Sequence, residues 1–194
     1  MKIIRNKVFE TNSSSCHALV VPNSSENLEE PEELHLAYNG EYGWGPEVLT
    51  SQRDKFTYLG ILAAEIQQQD VVKEIDNYFE TLESLGFTIG DFDDDKESMK
   101  KKLLESYDYY IDHGNEGVSI YKELIENTDK LKRFILSPKS FITIGNDNDY
   151  GDIFEKPNEM FNLGLEFTES EWGSRSCNNI NELEKDYDIY YKGN

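Results

Sequence analysis

Apolar residues spaced three and four apart are confined to one central block of this sequence, and that confinement restricts the folds open to it. Thr50 or Ser51 is placed to cap a helix reaching about Gln69, with Phe56, Leu59, Leu62, Ala63 and Ile66 along one side. Asp70 is placed to cap a second helix. There Val71, Val72, Ile75, Tyr78, Phe79, Leu82 and Leu85 keep the spacing until Gly86 ends it. Further helices are expected over 96–107, 118–126 and 129–136, the last stopped by Ser137-Pro138.

The flanks read differently. Short β-branched, aliphatic or alternating runs at 2–9, 17–21, 33–38, 140–144 and 186–191 predict strands. Polar residues fill 23–33, Gly and Pro punctuate 39–46, and 150–185 carries no readable pattern. Strands at both ends around a helical middle predict an α+β fold rather than alternating βαβ units. The expected architecture is a small, mostly antiparallel sheet from the N- and C-terminal segments, packed against a central block of helices. One domain over 1–194 is expected, with strands at about 2–38 and 140–191 and helices at about 50–136. Hydrophobic residues at 37% suffice for a core in 194 residues.

Charge restricts function more than composition does. Lys and Arg number 19 against 39 Asp and Glu, giving a net charge of −20. Such a field repels nucleic acid and anionic lipid and attracts basic protein surfaces. The acids gather at the two ends. Nine lie between Val8 and Asp54 against Arg53 alone, and twelve from Ser140 onward against Lys156, Arg175, Lys185 and Lys192. The middle holds most of the lysines. An acidic face built from both chain ends is therefore expected, with Glu29, Glu30, Glu32, Glu33, Glu166, Glu169, Glu171, Glu184, Asp186 and Asp188 as partner-binding residues. Tyr187, Tyr190 and Tyr191 are its expected aromatic anchors.

Two cysteines, Cys16 and Cys177, form neither a disulfide framework nor a metal knuckle. The start MKIIR lacks the apolar core of a secretory signal, and no apolar run has the length of a membrane span, so a cytoplasmic protein is expected. Asp91 to Asp95 begins like a calcium loop but has Lys96 where glycine is needed and Lys102 where glutamate is needed. His17, His35 and His113 lack ligand spacing, and no phosphate-binding glycine fingerprint occurs; neither a metal nor a cofactor is expected.

Three polar clusters sit at the ends of apolar runs, where backbone can approach a ligand. The first is Phe9-Glu10-Thr11-Asn12-Ser13-Ser14-Ser15-Cys16-His17, in which hydroxyls stand beside an imidazole that could act as general base. The second is Tyr109 to Asn115, with Asp112 and His113; the third is Ile142 to Asp149, with Asp147. Ser13, Ser14, Ser15, His17, Asp112, His113 and Asp147 are thus the candidate catalytic residues, provided the clusters meet. Ordinary polar turns, whose hydroxyls satisfy their own backbone, are the simpler explanation of each cluster.

The opening MKIIRNKVFETNSSSCHALVV resembles uncharacterised bacteriophage and prophage proteins that begin with a basic-aliphatic strand, then FETNSSS and a His. The YIDHGN and FITIGNDN segments are similar to polar motifs of the same set, while Cys16 stands where those proteins have a further Ser or Thr. The resemblance implies a phage-encoded accessory protein acting in the host cytoplasm, and no particular reaction.

Two readings follow. One is an acidic inhibitor of a basic, nucleic-acid-binding host or defence protein, of anti-CRISPR or anti-restriction type, whose carboxylates mimic phosphates without contacting nucleic acid or membrane. The other is a phage enzyme acting on a nucleotide or nucleotide-modified target through the Ser-rich loop with its His and Asp residues.

Overall fold

The sheet is built around β1 (Ser15–Pro22), a strand buried at every position except Cys16. The computed structural model describes residues 15–38, 40–43, 45–70, 73–90, 95–112, 117–146, 152–171 and 173–192, so the strand expected over 2–9 lies outside the described residues. β1 pairs antiparallel with β10 (Tyr187–Lys192) on one side and with β7 (Phe141–Asn146) on the other. β4 (Glu47–Leu49) joins the far edge of β7, giving the order β10-β1-β7-β4.

Because both faces of this sheet are covered, β1 reads as a continuous apolar run rather than an alternating one. The pleat nevertheless divides it. Leu19 and Val21 join Ile142 and Ile144 in the core shared with the helices. Ala18, Val20 and Phe141 face the opposite way, onto Phe154, Leu165 and Leu183 from the C-terminal third.

On the first face lie α1 (Gln52–Asp70), α2 (Glu74–Ser84), α3 (Lys96–Glu105), α4 (Val118–Glu126) and α5 (Thr128–Leu136). The fold is α+β, as the distribution of periodicities predicts. α1 is not the one-sided helix expected from Phe56, Leu59, Leu62, Ala63 and Ile66. Every residue from Lys55 to Ala64 is buried, and α1 meets α2, α3, α4 and α5 in turn. A helix enclosed on all sides keeps no polar stripe, which is why its apolar residues run together.

Helix ends follow local chemistry. Ser51 Oγ accepts from Asp54 N at 3.0 Å and starts α1. α1 runs through Asp70, so that residue ends one helix instead of capping the next; α2 begins at Glu74, and Val71 and Val72 lie outside the described residues. Gly86 takes φ +92°, and the amides of Gly86 and Phe87 close on Glu83 and Leu82. Asp95 caps α3 through Ser98 N at 2.8 Å, and the extended Ser106 stops it at Glu105, short of the expected Tyr107.

Short ribbons complete the helical side. β2 (Glu33–Leu34) pairs in parallel with β5 (Thr88–Ile89), and β3 (Gly40–Tyr42) with β6 (Tyr109–Ile111). The strand expected over 33–38 is only two residues long, because Leu36 and Ala37 are buried outside any ladder, with Ala37 N bonded at 2.6 Å to Thr57 Oγ1. The stretch without a readable sequence pattern contains α6 (Glu155–Phe161), the antiparallel pair β8 (Phe167–Glu169) and β9 (Arg175–Cys177), and α7 (Ile180–Leu183).

Candidate functional site

β1 places Ser15 and His17 two residues apart on its helix-facing side, leaving Cys16 on the other face. Both Ser15 and His17 are fully buried. His17 Nδ1 lies 2.8 Å from Tyr58 Oη on α1, and its Nε2 lies 3.0 Å from Ser15 Oγ. Ser15 Oγ in turn donates to the backbone carbonyl of Asp112 at 3.3 Å.

For a neutral imidazole one proton arrangement satisfies all three contacts. A carbonyl only accepts, so the Ser15 proton points to Asp112 and Ser15 Oγ accepts from Nε2–H. Nδ1 is then the lone-pair nitrogen that receives the Tyr58 hydroxyl proton. This tautomer is assigned from the network. In it His17 gives a proton to Ser15 rather than taking one, the reverse of what an activated serine nucleophile requires. The chain Tyr58–His17–Ser15–Asp112 therefore ties α1, β1 and the end of β6 together.

The same place is where the flanks of the three polar clusters converge. Ser15 is paired with Asn146, the last residue of β7, while Ser15 Oγ reaches Asp112 just beyond β6. Asp112 N donates to Tyr42 O at 2.9 Å, and the Asp112 carboxylate accepts from Tyr110 Oη at 2.9 Å. Gly43, at φ +125°, closes the group; a Cβ there would lie 2.5 Å from Asp112 Cβ and 3.3 Å from Ser15 Oγ. Ser13, Ser14, His113 and Asp147 lie outside the described residues. Among the described residues no group of His, Cys, Asp and Glu is arranged to hold a metal ion. Tyr42 Oη is buried without a hydrogen-bond partner among them, and its ring packs 5.6 Å from that of Tyr58. Burial pushes both phenols well above the usual tyrosine range.

The acidic residues form a second feature. Glu29, Glu30 and Glu32 on the loop before β2, and Glu33 at its start, are exposed, and the loop backbone is clamped from beneath. Gln52, 3% exposed, donates to Glu30 O at 2.9 Å and accepts from Glu32 N at 3.0 Å. Glu29 N bonds Leu136 O at 2.9 Å. One turn further along α1, the fully buried Lys55 donates to Ser137 O at 3.1 Å and Ser140 Oγ at 2.8 Å. Its ammonium thus sits at the C-terminal end of α5, on the carbonyl of the cap residue Ser137, where positive charge is favoured. Burial brings its pKa down to about 8, against the pull of Glu29, Asp54 and Glu32.

At the other end of the chain, Glu166, Glu169, Glu171, Glu184 and Asp186 are exposed. Asp188 is half-buried and paired with Lys130 at 3.1 Å, so it offers less charge than its position suggests. Glu29, Glu30, Glu32, Glu166, Glu171 and Glu184 have no ion-pair partner among the described residues. The lysines of the middle instead hold Glu83, Asp76, Glu97 and Glu123. The two ends meet at a groove of about 420 Å³ lined by Glu26, Asp186, Tyr187 and Lys139. Asn23 N donates across it to Asp186 O at 2.8 Å.

The expected aromatic anchors are mostly engaged. Tyr187 and Tyr190 are half-buried, and Tyr190 Oη accepts from Lys130 Nζ at 2.7 Å; Tyr191 is 51% exposed. Gln52 and Lys55 were missed because a polar residue in the first turns of a helix ordinarily faces water. No family model, curated protein or solved structure matches this chain. No helix among the described residues is long and apolar enough to cross a membrane.

Proposed function

We propose that this protein is an acidic binding protein whose carboxylate surface occupies the cationic groove of a nucleic-acid-binding protein in the host cytoplasm. Supporting this most directly is the loop of Glu29, Glu30, Glu32 and Glu33, whose side chains are exposed while Gln52 fixes its backbone. A fixed backbone holds the charges in place, so less ordering entropy is lost on binding than with a free acidic tail. Lysines neutralise acids elsewhere but leave Glu29, Glu30 and Glu32 of this loop unpaired among the described residues. The phage resemblance of the N-terminal motif suits an inhibitor of anti-CRISPR or anti-restriction type.

The test is association with a basic nuclease measured from low to physiological salt. The combined change Glu29→Lys, Glu30→Lys, Glu32→Lys and Glu33→Lys is expected to weaken binding by about tenfold or more at low salt, mainly through slower association. Melting temperature should move little, since the side chains are exposed. Binding that ignores both salt and charge reversal would remove this reading.

The enzymatic reading draws on the convergence of Ser15, Asp112 and Asn146, which brings the flanks of three hydroxyl-, imidazole- and carboxylate-bearing segments to one sheet end. It requires substoichiometric inactivation of a target, lost on Ser14→Ala with folding intact. A strict one-to-one titration of the target decides against it.

A further inference from the structure

We propose that Tyr38 and Tyr107 form an aromatic anchor for arginine side chains of a cationic partner protein, an inference that rests on the carboxylate reading above. Tyr38 is 101% exposed and Tyr107 70%, the two most exposed large apolar side chains described. They belong to one place. β3 and β6 are paired in parallel with Gly40 opposite Tyr109, so Tyr38 and Tyr107 each lie two residues before the matched pair. Gly40 N bonds Asp108 O at 3.2 Å, and Tyr109 Oη donates to Ala37 O at 3.0 Å. These bonds lock the segments carrying the two exposed rings to each other. Gly40 is needed for this approach, since a Cβ there would lie 2.3 Å from Tyr109 Cδ1.

Singly exposed tyrosines are ordinary on a protein surface; two at the same end of a rigid ribbon invite a partner. The surroundings select its chemistry. Glu105 and Asp108 are exposed within two residues of Tyr107, while Lys101, one turn back from Glu105 on α3, is the exposed cation nearest in sequence. Carboxylates next to aromatic faces suit a guanidinium, which stacks on the ring while its N–H fork is accepted by acids. The same acids oppose a nucleic-acid strand, whose bases would bring phosphates with them. A lysine ammonium gains less from such a site because it is compact and strongly hydrated.

Fluorescence anisotropy with labelled deca-arginine and deca-lysine peptides of equal charge tests the assignment on the intact chain. The wild-type protein is expected to bind the arginine peptide about three- to tenfold more tightly than the lysine peptide. The double variant Tyr38→Ala, Tyr107→Ala should bring the arginine peptide to the lysine level and leave lysine-peptide binding unchanged. Tyr38 and Tyr107 are surface side chains, so the variant should melt with the wild type. Equal binding of both peptides, or an arginine preference that survives in the variant, overturns this inference and leaves the carboxylate reading standing. Failure of both peptides to bind the wild type overturns the two together. A single-stranded oligonucleotide bound by the wild type and lost in the variant would replace the partner with nucleic acid and overturn the assignment.

Discussion

Replacing His17 with alanine is expected to lower the free energy of unfolding by about 2–4 kcal/mol, from a buried cavity and newly unpaired polar groups. The imidazole is fully buried and makes a contact on each nitrogen, 2.8 Å to Tyr58 Oη and 3.0 Å to Ser15 Oγ. Without it the Tyr58 hydroxyl loses its acceptor. Tyr58→Phe alone should cost about 1–2 kcal/mol, since the ring and its packing remain. The double variant should lose less than the sum of the two, with a coupling of about 1 kcal/mol, because both changes break one bond. Urea unfolding at neutral pH measures all three. Strictly additive losses would mean that the histidine and the phenol do not form the bond on which the tautomer assignment rests.

Lys55 gives the second large effect, and its sign is set by pH. The unfolded lysine titrates near 10.5, whereas burial brings the folded group down to about 8. Between those values the unfolded chain binds more protons, so stability rises with pH. From pH 8 to 9.5 the wild-type protein should gain about 1.5 kcal/mol through this group. Above about pH 10 the trend reverses, because Tyr58 and Tyr78 have raised pKa values and ionise first in the unfolded chain. Lys55→Met should abolish the rise. At pH 7 the same change should cost about 2–4 kcal/mol, by leaving Ser137 O and the Ser140 hydroxyl without the ammonium donor. Urea denaturation at constant ionic strength supplies both curves. Parallel pH profiles for the two proteins would contradict the assignment.

The α+β architecture was readable because periodicity changes with position, and α2 announced itself through Phe79, Leu82 and Gly86. What escaped was decided by tertiary contact. β3 and β4 fall in or beside a Gly/Pro-punctuated stretch whose strand character comes from β6 and β7, not from its own residues. α6, β8 and β9 are short and carry few apolar residues, so no window holds enough pattern to identify them. At the candidate sites, Ser15, His17 and Asp112 could be named from type and neighbourhood. Tyr58, the partner of His17, is 41 positions away inside an apolar helix and looks like core. Tyr38 and Tyr107 are single aromatics in polar surroundings; only the β3–β6 register brings them to the same end. The acid loop was legible as charge, whereas its clamp by Gln52 was not.

β1 has both of its ladder neighbours far along the chain. Val20 meets Phe141 on one side and Ile189 on the other. During synthesis this inner strand of the sheet therefore emerges before its neighbours and waits for β7 to fill one edge and, later still, for β10 to fill the other. Local helices such as α1 can form long before that, so the helical half matures early and the sheet closes late. Until β10 arrives, β1 presents a bare row of amide and carbonyl groups flanked by Leu19, Val20 and Val21, the kind of surface on which nascent chains stick to one another. The density of like charge on the rest of the molecule keeps such half-finished copies apart.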